Sequence, residues 1–149
     1  MKPYRKPFSK SLYSNYDSPA KIALIEYLNS LGHELLDSAE SYDADIVTEY
    51  NGIQYHSEAE VKTAWRGDWP SKWKEIRIPE RKKKLLEKHT ELKFYIFSSD
   101  LDQCWCIDSS LLTDGILRKA FGKNIHPGEL FYHVPYQEAE LIDFRSSAA

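Results

Sequence analysis

The residues best suited to chemistry lie close together in the chain: Asp43, Asp45, Glu58, Glu60 and Lys62. An acid-x-Lys triplet alone carries little weight, since about two arise by chance at this composition. The chain has them at Glu60–Lys62, Glu80–Lys82 and Glu91–Lys93. Glu80–Lys82 falls on an expected helix, where residues two apart do not face the same way. Glu91–Lys93 opens an expected strand but has no Asp in the preceding 20 or so residues. Glu60–Lys62 instead follows Asn51-Gly52, a strong signal for a two-residue hairpin turn with positive φ at both positions. If that turn closes, Tyr50 pairs with Ile53, Asp45 lies opposite Glu58, and Asp43 lies opposite Glu60. Alternate strand residues share a face. All five polar residues then point to one side, and Ile46, Ala59 and Val61 to the other. Asp45 and Glu60 become diagonal neighbours roughly 7–8 Å apart, a gap that suits a hard cation between carboxylates. Like charges this close raise one another's pKa or require a counter-charge. Mg²⁺ would supply it and Lys62 would offset part of it. The competing reading is a solvated polar hairpin face.

The elements that must position these residues are legible in outline. Ser18-Pro19 reads as N-cap and first helical position. Ile22, Ile25, Leu28 and Leu31 follow at helical spacing, and Gly32 supplies the stop. His33–Leu36 reads as a short strand, and 44–50 with 53–63 as the hairpin arms. Residues 64–77 read as irregular. Pro79 opens a helix to about Lys88, with Leu85 and Leu86 inward and Arg81 to Lys84 outward. Leu92–Phe97 and Gln103–Ile107 read as strands, Leu111–Phe121 as a helix, and Leu130–Val134 as a late strand. This order implies an α/β fold with a mixed central sheet flanked by helices. Residues 1–16 read as a basic arm, 17–144 as one domain, and 145–149 as a loose tail.

The first helix, then Asp45, then Glu60-Val61-Lys62 on the next strand, then a basic helix and a further strand, resembles the PD-(D/E)xK nuclease superfamily. The resemblance spans roughly residues 18–108. The stretch KLLEKHTELKFYIFSSD, from Lys84 to Asp100, is similar to the segment after the motif in small phage junction-resolving endonucleases. Ala44 stands where the family often has Pro, and the Asp-to-Glu spacing of fifteen is long for phage resolvases. The resemblance implies a restriction-endonuclease-like core in α-β-β-β-α-β order, with C-terminal strand and helix additions. It also implies Mg²⁺-dependent hydrolysis of DNA phosphodiester bonds, structure-selective in the resolvase manner, with Mn²⁺ as an alternative ion. Asp45, Glu60 and the Val61 carbonyl would hold the ion. Lys62 would orient or deprotonate the attacking water and stabilise developing charge. Glu26, on the first helix, matches a glutamate that completes the metal site in resolvase-like members. Its other reading is an exposed helix residue. A homing, restriction-type or repair nuclease, or a non-catalytic nucleic-acid-binding module, are the alternatives.

Charge is unevenly spread. The net charge is -3. Residues 17–61 carry ten acids against Lys21, whereas residues 62–93 carry eleven bases against five acids. That excludes binding by bulk positive charge but leaves a local basic face. Arg66, Lys72, Lys74, Arg77, Arg81, Lys82, Lys83 and Lys84 are the candidate phosphate contacts. Trp65, Trp69 and Trp73 lie among them, either to stack on bases or to cap the core. Cys104 and Cys106, two apart, are poorly placed to bridge each other. They read as reduced thiols of an intracellular protein, cytoplasmic, with a phage-encoded protein acting in a host cell as one form of that reading. No apolar run approaches the roughly 18 residues of a membrane span, and no apolar stretch follows the charged N-terminus as in a secretory signal. DNA is the expected partner. A homodimer or higher homo-oligomer is expected for cutting two strands, with no membrane.

Overall fold

The computed structural model describes residues 19–36, 46–89, 91–120 and 125–145. Helix α1 (Pro19–Ser30) buries Ala20, Leu24, Ile25 and Leu28. It stops at Gly32, whose φ of 99° is open to glycine at little cost. There the His33 N–H donates to the Leu28 carbonyl at 3.0 Å. Strands β1 (Glu34–Leu35), β2 (Ile46–Tyr50) and β3 (Ile53–Lys62) follow. Asn51 and Gly52 take φ of 52° and 79°, and Tyr50 pairs with Ile53 and Ile46 with Ser57. This is the register expected from the turn.

The main sheet has six strands in the order β1-β2-β3-β5-β6-β9, with β5 (Leu92–Ser98), β6 (Gln103–Asp108) and β9 (Glu140–Asp143). Strand β3 pairs with β5 in parallel and the other neighbours are antiparallel, so the sheet is mixed. Between β3 and β5 the chain crosses over through β4 (Glu75–Pro79), a 3-10 turn (Glu80–Lys82) and the short α2 (Lys83–Lys88). Strands β7 (Leu117–Lys119) and β8 (Leu130–Pro135) join β4 in a second sheet of order β4-β8-β7.

Two apolar layers sandwich the main sheet. On one face α1 packs on Ala59, Tyr95, Phe97 and Cys104. On the other, Phe94, Ile96, Trp105 and Ile107 meet Ile76 and Ile78 of β4, Tyr132 and Val134 of β8, and Leu85 of α2. The α/β class and the mixed sheet hold, but the second face is covered largely by the small sheet rather than by helices. The expected helix at 111–121 is absent where described. Two 3-10 turns, Ser109–Leu111 and Asp114–Ile116, lead into β7. Gly115 disfavours helix by about 1 kcal/mol, and Leu117 gains a strand partner in Tyr132. Residues 75–77, read as irregular, begin β4. Arg145, assigned to the loose tail, is tied to Asp143 at 2.9 Å and Asp68 at 2.5 Å.

Candidate active site

Strand β3 supplies the candidate side chains by simple alternation. In the parallel register Glu58 lies beside Phe94 and Glu60 beside Ile96, whereas Ala59 lies beside Tyr95. Glu58, Glu60 and Lys62 therefore share the face away from α1, as expected. Asp43 and Asp45 lie outside the described residues. Among the described residues no group of three His, Cys, Asp or Glu side chains is placed to hold a metal ion.

The centre of the arrangement is a cation seat. The Glu58 side chain is only 3% exposed, which would be costly for a lone carboxylate. The 3-10 turn brings Lys82 over β3, and its Nζ lies 3.0 Å from Glu58 Oε1 and 3.1 Å from Glu60 Oε1. Burial opposes the Lys82 ammonium, but the two carboxylates outweigh it and the pKa rises. One cation thus bridges two carboxylates. This corrects the reading of Lys82 as an outward phosphate contact. The sequence offers no local signal for it, because the contact spans 24 residues and depends on the crossover.

Lys62 lies one step toward the C-terminal end of β3. Its Nζ sits 5.1 Å from the centre of the Trp73 ring, an attraction between cation and π-face. Burial, then the nearby Arg77 guanidinium, lower its pKa. Close by, the β5–β6 turn meets the loop after β3. Asp100 accepts from the Ser98 hydroxyl at 2.7 Å and the Gly67 N–H at 2.8 Å, and the Ser98 bond leads in holding its carboxyl below the usual range. The Ser99 N–H donates to the Trp65 carbonyl at 2.7 Å. Ser98 and Asp100 stand in no sequence motif. Their signal is position, at the C-terminal end of the strand parallel to β3, where α/β sheets commonly bind ligands.

The tryptophans are core caps. Trp65 is fully buried, and Trp69 and Trp73 pack against the same layer. Trp69 meets Trp65, Trp73 and Trp105 edge to face at 5.0, 5.1 and 5.5 Å. Arg66, Lys72, Lys74, Arg77, Arg81, Lys83 and Lys84 are exposed. Of these, Arg81 pairs with Glu129 at 3.3 Å, and Lys74 donates to the Ser71 carbonyl. Val61 turns to the α1 face and is 39% exposed.

Glu26 does not join the seat. It is exposed, on the helix that covers the opposite face of the sheet. His56, on the same face as Glu58 but nearer the turn, stacks on His89 with ring centres 3.8 Å apart. Burial, then His89, lower its pKa. Cys104 and Cys106 are free, and burial pushes both thiols up. No helix among the described residues is long and apolar enough to cross a membrane. Compared with known proteins, the chain matches no family model, no curated protein and no solved structure.

Proposed function

We propose that the chain is a Mg²⁺-dependent endonuclease that hydrolyses DNA phosphodiester bonds, with the restriction-endonuclease-like core and structure-selective habit of small junction-resolving enzymes. The observation that carries this reading is the shared face of Glu58, Glu60 and Lys62, with two carboxylates close enough for one cation to bridge. Hard carboxylate oxygens suit Mg²⁺, so the donor chemistry fits. Glu60, the Val61 carbonyl and Asp45 would hold the ion. When bound, it polarises the phosphate and lowers the pKa of a water.

The remaining roles belong to the chain. Lys62, its ammonium disfavoured by burial and Arg77, orients the attacking water and accepts or shares its proton. Arg77 beside it meets phosphate charge. Exposed Arg66, Lys72, Lys74, Lys83 and Lys84 neutralise flanking phosphates, and affinity falls with salt accordingly. Lys82 holds Glu58 in place. Glu26 has no part in catalysis. In this reading the enzyme acts inside a cell as a symmetric dimer, one site per strand.

The test is incubation with supercoiled and four-way-junction DNA, in Mg²⁺ or in EDTA. Cleavage with Mg²⁺ alone supports the proposal, and Lys62→Ala then lowers the rate by about 100-fold or more while binding persists. No cleavage of either DNA with Mg²⁺ sinks it. One observation favours a second reading, a DNA-binding module without catalysis: the Lys82 ammonium already bridges the Glu58 and Glu60 carboxylates. Salt-dependent binding without cleavage, unchanged in Glu60→Ala, marks that outcome.

A further inference from the structure

Helix α1 shields only part of its face of the main sheet. Next to its C-terminal end is a cavity of about 210 Å³. It shares no residue with the Glu58–Glu60–Lys62 site and opens on the opposite face of the sheet. Its walls are aromatic, with Tyr27 from α1, Tyr50 and Tyr55 from the hairpin, and Tyr95 from β5. The His33 and Tyr50 rings stack with centres 5.0 Å apart and planes 11° apart. Three features build this platform. His33 Nδ1 lies 2.8 Å from the Thr48 hydroxyl. Tyr55 braces the imidazole at 5.1 Å. Gly32 leaves room for the Tyr50 ring, since a Cβ there would come within 3.1 Å of it. The mouth is exposed and apolar, with Tyr50 at 38% and Leu31 at 50%.

Polar groups complete the lining, with Lys93 half-buried on β5 and Glu140 exposed on β9. The Lys93 amine is close enough to His33 and Cys106 to act on both electrostatically. The Glu140 carboxylate acts likewise on Tyr27, and the Tyr95 hydroxyl is hydrogen-bonded to the Cys106 thiol.

We propose that this cavity binds one planar nitrogenous ring with the chemistry of a nucleobase, laid against the His33–Tyr50 stack with its polar edge toward Lys93 and Glu140. Its size lies below the roughly 300–1,000 Å³ of drug-sized sites, so it takes a single ring system. Stacking on aromatic side chains accepts any base. A cation and an anion together match the mixed donors and acceptors of a base edge. They do not match a phosphate, which Glu140 repels, nor an aliphatic chain, which leaves the Lys93 and Glu140 charges unanswered. The ring can belong to a free nucleoside or to an unpaired base in a strand. The proposal stands apart from the phosphodiesterase reading, and its failure leaves that reading intact.

The test uses the full chain in amide-resolved NMR titrations. The probes are adenosine, guanosine, cytidine and thymidine, a DNA duplex with one extrahelical base, a fully paired duplex, and phenylalanine as a ring control. The proposal expects shifts at His33, Tyr50 and Lys93 with Kd below about 1 mM. A response to free nucleosides identifies one source, and a response to the bulged duplex alone identifies the other. Tyr50→Ala, at the exposed mouth, weakens binding by about tenfold, and Lys93→Met weakens it while keeping the aliphatic stem. Any one of three results overturns the proposal: no shift with any nucleoside or the bulged duplex, equal binding of phenylalanine or paired duplex, or unchanged affinity in both variants.

Discussion

Strand β3 sends alternate side chains into two different surroundings. Ala59 enters an apolar layer under α1 with Tyr95, Phe97 and Cys104. Glu58 and Glu60 point the other way, beside Phe94 and Ile96, and meet Lys82. The first face is a packing solution alone. The second interrupts a comparable core with charge, although well-packed apolar residues in place of a buried ion pair are often equally or more stable. Stability therefore explains the α1 face, while the charges on the other face call for a use.

The largest effect that sharpens this contrast belongs to the apolar face. Phe97→Ala, at a fully buried position, costs about 3–5 kcal/mol in urea unfolding. A loss under about 1 kcal/mol would show that α1 is loosely seated. Next comes the charged face. Lys82→Met leaves Glu58 buried without its counter-ion and costs about 3 kcal/mol. Adding Glu58→Gln to that variant recovers most of the loss. If the double variant is no more stable than the single, the seat is not the ion pair described here.

A smaller effect is expected from pH. His56 and His33 both titrate below the ordinary value of 6.5, chiefly because burial disfavours their charged forms. Below about 6.5 the unfolded chain binds protons that the native chain does not, so stability falls as pH drops. Urea unfolding at pH 7.5 and 5.5 measures this, and His56→Gln makes the difference smaller. A stability that rises on acidification would contradict the burial of these rings.

What was legible in the sequence was local. The α1 boundaries follow from Pro19, the helical spacing and Gly32. The hairpin register follows from Asn51-Gly52, and with it the shared face of Glu58, Glu60 and Lys62. What escaped was set by distant partners. Strand β4 hides in a short Ile76-Arg77-Ile78 alternation and forms because β8 pairs with it. Strand β9 has an exposed, weakly patterned sequence, and its partner β6 lies more than thirty residues earlier. Lys82 looked like one more base in a basic run until the crossover laid it over β3. Glu26 shared a helix face with Ile22 and Ile25 on paper, but that helix covers the side of the sheet away from Glu60.

If catalysis belongs to the face away from α1, as proposed, Glu60 and Glu26 must differ in their effect on cleavage. The most direct measurement compares Mg²⁺-dependent cleavage of four-way-junction DNA by Glu60→Gln and Glu26→Gln, with folding checked by circular dichroism. The account predicts that Glu60→Gln lowers the rate by about 100-fold or more and that Glu26→Gln cuts at the wild-type rate. Cleavage retained in Glu60→Gln, or lost in Glu26→Gln, would contradict it.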